Sequence, residues 1–160
     1  MQIQLQYNVY EDRLLLVIAD EDQNRAWWIT RRASRMLAET FVKRLSDSLM
    51  SEDMESARDL ILSLRQEEAI QNTPIITAPS LPVEHPNLLT SIRHGSQDNG
   101  NHIIVLVGMD GEEQALTFDD DALLVLVELF RQQLLLTDWE LVLQWPHDSQ
   151  DTDAMVKNIQ

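Results

Sequence analysis

The sequence predicts an α+β protein of two internally duplicated units. Each is an antiparallel β-meander followed by helix, in the order βββα(α)–linker–βββα about a pseudo-twofold. Three observations predict this. Leu14–Leu45 and Ile103–Leu134 align without a gap, every pair keeping an offset of 89 residues. Both copies pass through an apolar run, an acidic turn, a short alternating run and a helical period; Ala26/Ala115, Leu37/Leu126, Glu39/Glu128, Phe41/Phe130 and Leu45/Leu134 are identical. Four of the five prolines (Pro74, Pro79, Pro82 and Pro86) fall between the copies. The expected division is a first half over 1–72, a proline-rich linker over 73–87, a second half over 88–145 and a polar, disordered tail over 146–160, with one shared core.

Residues 2–10 alternate: Ile3, Leu5, Tyr7 and Val9 face one way, Gln2, Gln4, Gln6 and Asn8 the other. That is a half-buried strand. Glu11 and Asp12 turn the chain. Residues 13–19 are apolar on both faces and read as a central strand covered on both sides. After the turn at 20–24, residues 25–30 complete the first meander. Thr30 suits a helix N-cap, and Ala33, Met36, Leu37, Thr40, Phe41, Leu45 and Leu49 recur at helical spacing. Ser51 reads as a second N-cap, for a helix running to about Gln71 that Pro74 stops. The second meander is expected at 88–94, 101–107 and 112–118, with Asp110-Gly111 as a hairpin turn. The helix from about Asp120 to Leu136 opens on Asp119, Asp120 and Asp121, which suit the positive end of a helix. It is apolar almost all round, which asks for burial between layers or in a subunit interface. Trp139–Trp145 alternates and reads as a short strand or a helix continuation.

The net charge of −15 is unevenly spread. Residues 1–50 hold seven basic and seven acidic side chains, so residues 51–160 carry the whole excess. Such a chain is repelled by polyanions at long range, which disfavours nucleic acid as the default partner. No apolar run is long enough for a membrane span. The N-terminus lacks the basic-then-apolar order of a secretory signal. The chain has no cysteine, which fits a reducing compartment; a bacterial cytoplasmic location is expected.

Motifs for chemistry are sparse. His85, His94, His102 and His147 show no metal-ligand spacing, and are expected as solvated or hydrogen-bonded surface groups. There is no glycine-rich phosphate loop and no nucleophile elbow. The acidic triplets read as a helix start and a turn. No cofactor, metal or catalytic residue is assigned.

Comparing the copies points to one place. Trp28, Arg31 and Arg32 stand where the second copy has Thr117, Asp120 and Asp121. Trp27 and Ile29 align with Leu116 and Phe118 and form the core face. Trp28 therefore faces outward, and two arginines sit unfavourably at a helix start. With Arg25 and Arg35, they make an aromatic ring rimmed by guanidinium groups, as interfaces and single-stranded nucleic-acid sites use. Trp139 and Trp145 form a second candidate contact surface. The alternative is internal: Arg31 and Arg32 pair with Asp120 and Asp121 of the other half or another subunit, locking a pseudo-twofold or a dimer.

Two meander–helix copies on a linker resemble the Whirly and Pur-alpha class of single-stranded nucleic-acid binders. The resemblance is topological and covers roughly residues 2–136. Whirly repeats have four strands before the helix rather than three, their KGKAAL motif is absent, and no functional residue carries over. The expected function is therefore a non-enzymatic protein-interaction or adaptor module, forming a homodimer. Single-stranded DNA or RNA binding through the Trp28/arginine cluster is the alternative, and an enzyme with an unrecognised site comes after it.

Overall fold

A computed structural model describes residues 1–20, 23–49, 83 and 85–143. Its strands are β1 (Gln2–Asn8), β2 (Arg13–Ala19) and β3 (Asn24–Ile29), followed by α1 (Arg31–Leu49). Then come β4 (Asn87–Ser96), β5 (His102–Gly108) and β6 (Glu113–Phe118), followed by α2 (Asp120–Leu134). The periodicities read from the sequence account for these bounds to within a few residues. The helix expected from Ser51, most of the linker, the tail and the side chain of Leu49 lie outside the described residues.

All six strands form one sheet in sequence order. Every neighbouring pair is antiparallel except β3 and β4, which run parallel over Trp27↔Asn87 and Trp28↔Leu88. Backbone pairing between the meanders is thus short, and side chains supply the rest. Trp27 Nε1 donates to Gln114 Oε1 at 2.7 Å, and Arg25 Nη1 donates to the Glu113 carbonyl at 3.3 Å. In a flat sheet β3 and β6 would stand about 14 Å apart, three spacings of about 4.8 Å. A hydrogen bond between them requires the sheet to curl toward its helix-bearing face.

That face is the core. Leu14, Leu16 and Ile18 of β2 line it with Trp27 and Ile29 of β3, Ile104 and Leu106 of β5, and Leu116 and Phe118 of β6. The helices close it. α1 packs on β3 and β4, α2 on β6 and β1. Phe41 and Phe130 meet edge to face at 5.4 Å between centroids. The helices run antiparallel: Arg44, late in α1, donates to Gly95 and Ser96 near the start of β5, where His102 meets Asp120 at the head of α2. At the other end, Gln133 of α2 accepts from the Tyr7 backbone N–H.

Both helix starts are capped. Thr30 Oγ1 accepts from Ala33 N, as the sequence predicts, and Asp119 Oδ1 accepts from Ala122 N at 2.8 Å. Gly111, with φ of +86°, makes the β5–β6 turn, a conformation that favours glycine.

Of the two burials open to α2, the apolar belt from Leu123 to Phe130 takes the one between layers, within one chain, so it does not itself demand a second subunit. Two expectations change. Residues 139–143 are neither strand nor helix: the chain leaves α2 in a tightened turn, the Leu136 and Thr137 N–H groups donating to the Gln133 and Leu134 carbonyls. His102 is not a surface group; it is 2% exposed.

Candidate interaction surface

The β1–β2 turn organises one end of the molecule. Asp12 sits in it with φ of +49°, a left-handed conformation that aspartate tolerates better than most residues. This aims its carboxylate back at two aromatic donors. Tyr7 Oη donates to Asp12 Oδ1 at 2.8 Å, and Trp139 Nε1 donates to the same oxygen at 2.7 Å. The Tyr7 and Trp139 rings meet edge to face at 5.9 Å. Hydrogen bonds from Tyr7 and then Trp139, with the positive charge of Arg31, hold the Asp12 carboxyl below its ordinary range. The Tyr7 hydroxyl is pushed up, first by its bond to Asp12, then by burial and the negative charges of Asp12 and Asp138.

Trp139 is therefore an anchor. It is 4% exposed and its N–H is spent on Asp12, so it is not the contact residue expected. Trp145 lies outside the described residues. The anchor brings other residues to the surface. Val9 and Tyr10 project from the turn just beyond Tyr7; Leu135 and Leu136 follow Gln133, which holds the Tyr7 backbone. Tyr10 is 97% exposed, and Leu135 and Leu136 are 71% and 64% exposed. A cleft of about 220 Å³ lies beside Tyr10, lined by Gln6, Tyr7, Asn8, Val9, Tyr10 and Leu15.

The arginines fall into two groups. Arg31, Arg32 and Arg35 are exposed on the first turns of α1, next to this end through the Arg31–Asp12 attraction. No ion pair within the described residues holds them. Arg25 is elsewhere. It pairs with Ile18 on the helix-bearing face, and its guanidinium bonds Gln23 and the Glu113 carbonyl. Trp28 points to the opposite face, half-buried in a row with Leu15 and Leu88. The expected ring of arginines around Trp28 is thus not formed as drawn: strand alternation sends Arg25 to the other side.

The internal lock also changes. Asp120 meets His102 at the end of the molecule where α1 finishes, whereas Arg31 lies by Asp12 at the end where α2 finishes. Antiparallel helices keep those groups apart within one chain.

A second cleft, of about 390 Å³, lies between α1 (Ala38, Glu39, Val42 and Lys43) and Val142 and Leu143. Its lining is aliphatic apart from Glu39 and Lys43. Among the described residues no group of histidine and carboxylate side chains is arranged to hold a metal ion, and no helix is long and apolar enough to cross a membrane.

No protein-family model, curated protein or solved structure matches this chain.

The sequence reading missed Val9, Tyr10, Leu135 and Leu136. One signal was available: Leu134, Leu135 and Leu136 are consecutive, and a helix end with one buried face cannot cover all three.

Proposed function

We propose that this chain is a non-enzymatic protein-interaction module whose contact surface is the end built on Asp12. The observation that carries this reading is the coincidence of exposed Tyr10, Leu135 and Leu136 with exposed Arg31, Arg32 and Arg35, which no ion pair holds among the described residues. Aromatic rings and arginines dominate the energetics of protein interfaces, and contiguous apolar exposure marks them. The partner is a protein segment carrying an apolar side chain for the cleft by Tyr10 and carboxylates for the α1 arginines.

A single-stranded nucleic-acid site of the Whirly or Pur-alpha kind finds less support. It needs Trp28 free for stacking, and Trp28 is half-buried.

The same reading takes the two meander–helix units as an internal duplication about a pseudo-twofold. Several contacts support it at the 89-residue offset. β3 and β6 start 89 apart, as do α1 and α2. Phe41 touches Phe130, its own counterpart. Arg44 reaches Ser96 as Gln133 reaches Tyr7, and both pairs are counterparts. The two ends of the molecule are then versions of one design, and the Asp12 end carries exposed Tyr10 with Arg31, Arg32 and Arg35.

The test is site-specific photo-crosslinking in the native cell, with the photoreactive residue at Tyr10 and, as control, at exposed Thr117 of β6. The reading expects a discrete adduct from Tyr10 that Arg31→Glu/Arg32→Glu abolishes. Equal adducts from both positions, or none from Tyr10, refute it. An adduct with nucleic acid replaces it with the alternative.

A further inference from the structure

At the end opposite Asp12, two buried polar atoms have no hydrogen-bond partner among the described residues: His102 Nδ1 and Arg44 Nε. They belong to neighbours. His102 opens β5 directly across from Ser96 in β4, and directly opposed residues share a face, with Cβ atoms about 4.5–5.5 Å apart. Arg44 comes down from α1 onto that spot, its Nη2 donating to the Gly95 carbonyl at 3.1 Å and closely to Ser96 Oγ. On its other side, His102 Nε2 lies 2.7 Å from Asp120 Oδ1.

The roles of the orphans are complementary. In the neutral ring, an Nε2–H donated to the carboxylate leaves Nδ1 as a bare acceptor. Arg44 Nε is a donor and nothing else. Leaving both unmet in the interior costs about 1–3 kcal/mol each. The group that satisfies both at once accepts one hydrogen bond and donates another. A carboxylate or phosphate cannot donate to Nδ1, and it would stand close to Asp119, Asp120 and Asp121. Water does both, and buried waters serve such otherwise unmatched groups.

We propose that one internal water molecule bridges Arg44 Nε–H and His102 Nδ1, completing a relay from the guanidinium through water and imidazole to the Asp120 carboxylate. The relay ties α1, β4, β5 and the head of α2 together. The residue 89 positions before His102 is Arg13, which pairs with Asn8 in the first unit, so this histidine belongs to the second unit alone.

The test uses the full chain. A crystal structure resolving ordered water, with long-range ¹H–¹⁵N correlation spectra of the histidine side chains, reads the site directly. The expected results are density within about 2.7–3.2 Å of both atoms, the Nε2–H tautomer of His102, and a water-exchange cross-peak to the ring that Arg44→Met abolishes. A direct Arg44–His102 bond, the Nδ1–H tautomer, or a cross-peak unchanged in Arg44→Met overturns the proposal. The wild-type measurements decide the matter if the variant fails to fold.

Discussion

The hydrogen bond between Trp27 and Gln114 tests how the two meanders hold together. Among the described residues two pairs of β3 and β4 join them through the backbone, so this side-chain bridge from β3 to β6 should carry measurable stability. Trp27 is 1% exposed. Trp27→Phe removes the donor, worth about 1 kcal/mol, and leaves a small void, costing about 1 kcal/mol more. Gln114→Leu leaves the indole N–H buried without an acceptor, costing about 1–3 kcal/mol. The double variant replaces both partners by apolar groups, so the hydrogen-bond loss is not counted twice. It should therefore be more stable than the sum of the singles by about 1 kcal/mol or more. Each kcal/mol lowers the Tm of a chain this size by about 2–4 °C, so Trp27→Phe should melt about 4–8 °C below wild type. Urea unfolding followed by tryptophan fluorescence and circular dichroism supplies the free energies. If the singles add to within about 0.3–0.5 kcal/mol, the bridge carries no coupling, and the claim that side chains zip the halves is wrong.

Phe130→Ala should cost about 3–5 kcal/mol, because the ring is fully buried against Phe41; chemical denaturation measures it, and a loss below about 1 kcal/mol contradicts the assigned core. Gly108→Ala should destabilise by about 0.5–1.5 kcal/mol, since a Cβ there would stand 2.1 Å from Asn87 Nδ2 and turn the Asn87 side chain away from Asp110; a neutral result in thermal melts refutes that packing. The Asp12 carboxyl has a lowered pKa in the fold, so its stabilisation is present above the ordinary value of 3.8 and is lost as pH falls through the folded value. Asp12→Asn should therefore be less stable than wild type at neutral pH, and the gap should close in acid; a gap that persists in acid unfolding curves removes the electrostatic account. Arg31→Glu/Arg32→Glu should leave the free energy of unfolding within about 0.5 kcal/mol of wild type, because both side chains are exposed; a larger loss makes them structural.

Much of the architecture was legible because it depends on local periodicity. Alternation placed β1, β3 and β6, apolar runs bounded by turns placed β2 and β5, and the cap Thr30 and the acidic run Asp119–Asp121 placed the two helix starts. Parity along β3 separates Arg25 from Trp28, so the split of the expected cluster is legible in the sequence. The contact surface was not legible. Tryptophans and arginines stand out by type, yet whether a tryptophan is an anchor or a contact depends on what meets it. Trp139 is buried because Asp12, far away in the chain, offers an acceptor and Tyr7 offers a ring. That arrangement in turn leaves Tyr10, Leu135 and Leu136 uncovered.

The sequence by itself determined the elements, their order, and which face of each strand is apolar, because hydrophobic period and capping act over a few residues. Only the tertiary structure decided how the sheet curls, which way the helices pass each other, and so which charges meet. Curling brought Trp27 to Gln114, and the antiparallel helices sent Asp120 to His102 and left Arg31 beside Asp12. Those outcomes come from packing two meanders and two helices around one core, a constraint that no local pattern in the chain encodes.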